Sequence, residues 1–303
     1  MGPTDNARLR VGTRGVLALG SMLVVALALG FILAARGGDG PGDGTPLTST
    51  DPGVVHVHGL GVDPADGTLY AATHAGLFRL PDDGEAVRVA DRFQDTMGFT
   101  VIGPGRFLGS GHPDIREMTR QNLPSLLGLI ASDDAGVSWR NLSLGGESDF
   151  HVLVASHGLV YGFDATNERL MVTADQRSWE TRSSVALGSF AVDPGDPEHL
   201  VGTLEGSVTA SSSDGGRSWR PVPGAPSLSL VAWDERGGLW GVAPGGSTWA
   251  GRSDGVTWEQ RGELGGPPEA LLATDGVLYA AAEDVGVLES RDSGDSWSVR
   301  YAE

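Results

Sequence analysis

From residue 54 to the end of the chain, apolar residues fall in short runs broken by turn signals. The last stretch shows the frame: Glu269-Ala-Leu-Leu-Ala-Thr, Asp275-Gly, Val277-Leu-Tyr-Ala-Ala-Ala, Gly286-Val-Leu-Glu-Ser-Arg and, after another turn, Ser296-Trp-Ser-Val-Arg. The first stretch repeats it with Val57-His-Gly-Leu-Gly-Val, Pro64-Ala-Asp-Gly, Thr68-Leu-Tyr-Ala-Ala-Thr, Gly76-Leu-Phe-Arg-Leu and the turn Pro81-Asp-Asp-Gly. Short apolar runs with turn residues every 8–12 positions or so predict strands joined by hairpins. One run is different: Val16 to Ala35 is 20 residues without a charge. As a helix it would reach about 30 Å, the depth of a bilayer's hydrocarbon core.

Five tryptophans set the period of the strand region: Trp139, Trp179, Trp219, Trp258 and Trp297 are spaced by 40, 40, 39 and 39 residues. Three of them close the pattern S-x-D-x-G-x-[ST]-W, running from Ser132 through Asp134 and Gly136 to Trp139, from Ser212 through Asp214 and Gly216 to Trp219, and from Ser290 through Asp292 and Gly294 to Trp297. Two are degenerate, Thr173 through Asp175 to Trp179 and Ser253 through Asp254 to Trp258, each one residue short between Asp and Trp. The residue types suit a hairpin. An Asp carboxylate accepts hydrogen bonds from backbone N–H groups across a tight turn, Gly supplies the left-handed position, and Trp opens the returning strand and buries a large ring. The pattern therefore predicts a structural role for these residues. Residues 54–303 divide into repeats of about 42 residues, each with four short strands, with an insertion from Pro113 to Ser125 in the second. Four-stranded units repeated radially make a β-propeller, so the expected fold is all-β with six blades; seven would need an unrecognised repeat.

The turn pattern resembles the Asp box, or bacterial neuraminidase repeat, of a β-propeller superfamily that includes sialidases, other glycoside hydrolases, sortilin-type receptor domains and photosystem assembly factors. The resemblance implies boxes lying away from the active sites. Sialidases of that fold use an Arg triad whose first member stands in an R-I-P motif, and this sequence lacks that motif. Sialidase activity is therefore not expected. His56-Val-His58-Gly59, Thr73-His74-Ala75-Gly76 and Gly111-His112-Pro113-Asp114 also resemble bacterial sequences named glycosylhydrolase-like. That likeness implies a glycoside hydrolase as the alternative function.

Charge adds a direction to the apolar N-terminal run. Arg8, Arg10 and Arg14 precede it and a Gly/Pro/Asp-rich stretch follows Arg36. By the positive-inside rule residues 1–15 form a cytoplasmic stub, 16–35 a transmembrane signal-anchor, 36–53 a flexible linker, and 54–303 an extracytoplasmic propeller held at the cell membrane. A cleaved signal peptide with a secreted body is the rival, although the run is long for one and Leu33-Ala34-Ala35 is a poor cleavage site. Removing residues 1–36 takes away four Arg and one Asp, which leaves 17 Arg against 38 acids and a body charge of −21. Such a surface repels phosphate backbones, so nucleic acid is not an expected partner. The chain has no Cys and no Lys, which removes disulfides, thiolate metal sites, Schiff bases and P-loops. The 47 Gly match a fold made largely of turns.

The candidate chemistry comes from aligning the repeats. In a propeller the start of each first strand and the end of each second strand open on the same face of the channel. His58 and His151 take the first position, with Gly98, Gly188, Ser229 and Ala270 in the other repeats and Met97 adjacent. His74, His112, Glu205 and Glu283 take the second, with Asp164 one residue off register. His56 shares the strand face of His58, and Asp114 and Met118 lie in the insertion. Imidazoles gathered at one rim suit a transition metal such as Zn or Cu, and nearby Met favours Cu(I). The expected metal ligands are thus His56, His58, His74, His112 and His151. Glu205, Glu283, Asp164 and Asp114 are the carboxylates a hydrolase could use. The same face is where a small ligand or a protein partner would bind, while the N-terminal helix would engage the membrane. His157 and His199 belong to the opposite face and are expected in solvent.

Overall fold

A computed structural model describes residues 51–82, 85–252 and 254–302. The segments expected to form the cytoplasmic stub, the transmembrane anchor and most of the linker lie outside the described residues. Among the described residues no helix is long and apolar enough to cross a membrane.

The described chain forms six four-stranded antiparallel sheets, as the repeat spacing predicts. Blade 1 is β1 (Val57–Val62), β2 (Leu69–Thr73), β3 (Gly76–Leu80) and β4 (Val87–Arg88). Blade 2 is β5 (Asp95–Gly103), β6 (Arg106–His112), β7 (Leu129–Ser132) and β8 (Arg140–Ser143), with a short helix α1 (Ile115–Gln121) in the insertion between β6 and β7. Blade 3 is β9 (Phe150–Ser156), β10 (Leu159–Asp164), β11 (Arg169–Thr173) and β12 (Glu180–Ser183). Blade 4 is β13 (Leu187–Asp193), β14 (Asp196–Leu204), β15 (Val208–Ser212) and β16 (Arg220–Pro221). Blade 5 is β17 (Leu230–Trp233), β18 (Leu239–Val242), β19 (Ser247–Gly251) and β20 (Trp258–Glu263), and blade 6 is β21 (Pro268–Thr274), β22 (Val277–Ala282), β23 (Gly286–Ser290) and β24 (Ser298–Tyr301). The strands of each sheet follow in chain order, and the first strands touch around the ring as β1, β5, β9, β13, β17, β21 and back to β1.

The core lies between blades. One apolar cluster joins Leu108, Leu129 and Ala131 of blade 2 to Phe150, Leu153, Val160 and Met171 of blade 3. Another joins Val57, Leu60, Leu69 and Ala71 of blade 1 to Ala270, Tyr279, Ala281 and Val287 of blade 6, and so closes the ring. Both faces of each sheet are therefore covered, which explains why the second strands read as continuous apolar runs and not as alternating ones.

The S-x-D-x-G-x-[ST]-W segments are the turns from third to fourth strand. In blade 4 Asp214 Oδ1 accepts from Ser212 Oγ at 2.8 Å and from the Ser218 amide at 2.8 Å, while Oδ2 accepts from Ser218 Oγ at 2.6 Å. Asp134 in blade 2 is held identically by Ser132 and Ser138. Gly216 has φ +85°, and a Cβ there would fall 2.3 Å from Leu170 Cδ2 of blade 3; Gly136 repeats this against Leu77 of blade 1. Glycine thus meets two demands at once, the left-handed turn and close contact with the preceding blade. The degenerate turns, one residue shorter, still use the carboxylate as an acceptor but from nearer amides, with Asp175 Oδ1 accepting from those of Arg177 and Ser178 at 2.9 and 2.7 Å and Asp254 Oδ1 from that of Val256 at 2.9 Å.

Candidate metal centre

A bulge sets the rim. In five of the six blades the pairing of first with second strand slips by one residue at the same place. The unpaired residues are His58, Met97, His151, Gly188 and Glu269. A bulge re-aims one side chain without ending the strand. All five line a central channel of about 470 Å³ walled by the six first strands. The expected rim positions Gly98 and Ala270 are thereby corrected by one residue each, to Met97 and Glu269. Apolar alternation carries no mark of an inserted residue, which is why the sequence frame slid.

Among the described residues, His58, His74 and Asp95 form a group of ligand-type side chains with one donor atom from each lying within 4.8 Å of the others. His58 comes from the bulge of β1, His74 from the residue after β2, and Asp95 from the first residue of β5 in the next blade. His74 Nδ1 donates to Asp95 Oδ2 at 2.9 Å, and the carboxylate raises the His74 pKa. His58 Nε2 stands 3.6 Å from Asp95 Oδ1, and both atoms are buried without a hydrogen-bond partner. Burial lowers the His58 pKa to about 4; the Asp95 charge works against this and the neighbouring imidazoles of His74, His151 and His56 add to it. His58 is therefore a neutral imidazole at pH 7, the form that ligates metals. The His56 ring lies 5.4 Å from the His74 ring, and His56 Nδ1 meets Glu269 Oε1 at 3.3 Å. Glu269 Oε2 also accepts from the Val57 amide at 3.0 Å, so this carboxylate ties blade 6 to blade 1 at the rim.

His112 and His151 gather one blade further on, around Asp149. His151 Nε2 lies 2.9 Å and His112 Nε2 3.6 Å from Asp149 Oδ2, and His112 Nδ1 donates to the Ser125 carbonyl at 2.8 Å. The five expected histidines thus share one rim but divide among three carboxylates, His56 with Glu269, His58 and His74 with Asp95, and His112 and His151 with Asp149. The sequence reading missed Asp95, Asp149 and Glu269. Asp95 and Asp149 occupy the same register position, one residue before the paired residues Thr96 and Phe150 that precede the bulge. Extending the repeat alignment by that one position would have found them.

The four candidate carboxylates do not gather. Asp114 caps α1 and is 2 % exposed; it accepts from the Arg116 guanidinium and from the amides of Phe93 and Arg116. Burial would raise its pKa, but these bonds overcome that and hold it at about 2. Asp164 is fully buried against Arg169 and Asn167. Glu205 and Glu283 follow β14 and β22, are exposed, and stand on blades 4 and 6 with blade 5 between them. On the opposite face His157 is exposed as expected, whereas His199 is half-buried, with Nδ1 3.0 Å from Asp193 Oδ2 and its ring edge-on to Trp233. The solvent-exposed reading of His199 is corrected: its carboxylate partner ends the adjoining strand β13, six residues back, and the ring it meets belongs to blade 5.

No protein-family profile matches this sequence, and no curated protein matches it. Solved structures do. A chain of a nidogen/laminin complex superposes with a TM-score of 0.60 at 14% identity, over 78% of this chain and 93% of that one. A gluconolactonase from Xanthomonas campestris gives 0.60 at 14% identity over 76% and 84%, and a xyloglucanase of glycoside hydrolase family GH74 from the same organism gives 0.51 at 15% identity over 81% and 45%. These are likenesses of fold, to a chain of a nidogen/laminin complex and to two enzymes, and fold alone does not carry an activity. What this chain shares with them is the β-propeller architecture, here in six four-stranded blades.

Proposed function

We propose that this chain is a membrane-anchored, extracytoplasmic propeller that binds a transition metal ion at the rim of its channel through His58, His74 and Asp95. One observation carries the reading: His58 Nε2 and Asp95 Oδ1 face each other at 3.6 Å, both buried and both unpartnered. That spacing is too long for a hydrogen bond. It is close to the edge of a tetrahedral site, since bonds of about 2.0–2.2 Å to nitrogen and oxygen place neighbouring ligands roughly 3.4 Å apart. A cation between them would satisfy two buried polar atoms that otherwise cost free energy. His74 completes three protein ligands, and a tetrahedral ion held by three would keep a fourth position for a small ligand or a partner's side chain. Imidazole and carboxylate suit Zn²⁺, and Met97 in the neighbouring bulge offers a thioether that would favour Cu(I). The uncharged run from Val16 to Ala35, with arginines before it, supports the anchor.

The hydrolase reading draws less support, because Asp114 and Asp164 are committed to ion pairs and Glu205 and Glu283 are a blade apart. Titration of the metal-free protein with Zn²⁺, and with Cu(I) under reducing conditions, tests the proposal. His74→Ala should abolish binding at this position while lowering the melting temperature only modestly, since the His74 side chain is 38 % exposed and has one bond, to Asp95. Binding that survives in His74→Ala with undiminished affinity and stoichiometry would remove the assignment.

A further inference from the structure

We infer that a second cavity, at the rim of blade 4, binds a small organic cation with an apolar body, an aryl-alkyl amine in kind. The site shares no residue with the group of His58, His74 and Asp95 and needs no metal to form.

The bulges differ in one blade. At four of the five slips the unpaired residue brings a side chain to the channel wall, His58, Met97, His151 or Glu269; in blade 4 it is Gly188. Blade 5 pairs without a slip, and the small Ser229 stands just before its first strand. The ring of rim side chains is therefore open over blades 4 and 5. A cavity of about 440 Å³ lies at this gap, between the ends of the strands of blades 3 and 4, and Gly188 and Ser229 both line it. Gly188 also lines the channel, so the two spaces meet at its backbone. A Cβ on Gly188 would fall 3.0 Å from Thr203 Oγ1, and a larger residue would crowd the junction. The volume is within the range of small-molecule sites, about 300–1,000 Å³.

The walls join apolar surface to uncompensated negative charge. Phe163 and Leu187 are buried members of the core cluster between blades 3 and 4, Leu204 packs against that cluster, and all three reach the cavity. Glu168, in the turn from β10 to β11, and Glu205, just after β14, line the same cavity and are exposed. Among the described residues neither carboxylate has an ion-pair or hydrogen-bond partner. Arg169, next to Glu168 in sequence, is taken up by Asp164. Glu205 follows Leu204, the partner of Leu187 ahead of the slip, and so holds the place in blade 4 that His74 holds after Thr73 in blade 1. His74 meets a carboxylate of the next blade, whereas the blade 4 position reverses the charge and is left without a partner. An anion entering here is repelled by both carboxylates. A cation whose apolar body covers Phe163, Leu187 and Leu204 gains from burial and from Coulomb attraction together. The net charge of the chain, −18, draws such a ligand toward the surface.

Calorimetric titration of the full-length chain in detergent, with a chelator present throughout, tests the inference apart from the metal proposal. The probes are phenethylamine, the neutral phenethyl alcohol and the anionic phenylacetate, which share one ring and differ in charge. The amine should bind at a single site, the alcohol more weakly, and phenylacetate not at all. Glu168→Gln and Glu205→Gln, both at exposed side chains, should each weaken the amine about two- to fivefold, the scale of an exposed ion pair. The two changes combined should bring the amine to the level of the alcohol, and circular dichroism of each variant checks the fold. An alcohol that binds as tightly as the amine would mean an apolar crevice without charge recognition. Undiminished amine binding in the double variant would place the cation elsewhere on the acidic surface. Either result overturns the inference, as does an amine that fails to bind at millimolar concentration.

Discussion

Replacing Phe150 by alanine is the sharpest stability test of the blade 2–blade 3 junction. The ring is fully buried and stacks on Trp179, with centroids 4.7 Å apart and planes 25° apart. It lies across Gly162 so closely that a Cβ there would fall 2.6 Å from the ring. The Phe150 amide donates to Ser110 Oγ of blade 2 at 2.9 Å, and its carbonyl lies where a Cβ on Gly98 would be 2.4 Å away. Backbone on both sides is thus pinned, and the space left by the ring has little means of collapse. A Phe→Ala change in a rigid site costs about 3–5 kcal/mol, and the lost ring stacking puts this case in the upper part of that range. For a domain of this size each kcal/mol lowers the melting temperature by about 2–4 °C, so a drop of roughly 8–20 °C is expected. Thermal and urea unfolding followed by tryptophan fluorescence would measure it. A loss below about 1.5 kcal/mol would mean that the site collapses freely, and the picture of a closed junction around this ring would be wrong. Phe150 sits between Asp149 and His151, so the same variant should weaken any ligand held there.

Other consequences concern the ring closure, the turns and acid stability. Glu269→Ala should destabilise the fold by about 1–3 kcal/mol by stranding the buried Val57 amide, whereas Glu269→Gln, which keeps an accepting oxygen, should cost less; denaturant melts would separate them. Asp214→Ala and Asp134→Ala should lower the melting temperature by similar amounts and by nearly additive steps when combined, because the two turns have the same bonds on separate blades. Asp114 has a pKa depressed from 3.8 to about 2, so its contribution is present above its unfolded value and is lost as pH falls from about 4 toward 2. Asp114→Asn should flatten the stability–pH curve in that window and leave it unaltered above pH 5 or so.

Blade number and rim were legible because they rest on long-range regularities. Tryptophans at intervals of 39 or 40 residues give the blade period, and simple up-and-down alternation brings His58, His74, His112 and His151 to one rim. What escaped was set by single-residue events and by tertiary partners. The bulge that turns Met97 and Glu269 into the channel inserts one residue with no change in apolar pattern. Asp95 and Asp149 precede the apolar part of their strands and read as turn residues, although they hold the rim histidines together. Asp164 and Asp114 read as available carboxylates; their arginine partners, Arg169 and Arg116, lie only five and two residues further on, but nothing in the local pattern shows that the pairs are buried. His199 likewise acquired Asp193 and Trp233 only through packing between neighbouring strands and blades.

The central claim is that the unpartnered atoms of His58 and Asp95 are ligands waiting for an ion. Anomalous diffraction from zinc-loaded crystals, collected on both sides of the zinc edge, tests it most directly. The account predicts a peak within bonding distance, about 2.0–2.2 Å, of His58 Nε2, an Asp95 oxygen and a His74 ring nitrogen. Zinc-loaded crystals without a peak at that position, with His58 Nε2 and Asp95 Oδ1 still facing each other, would contradict it.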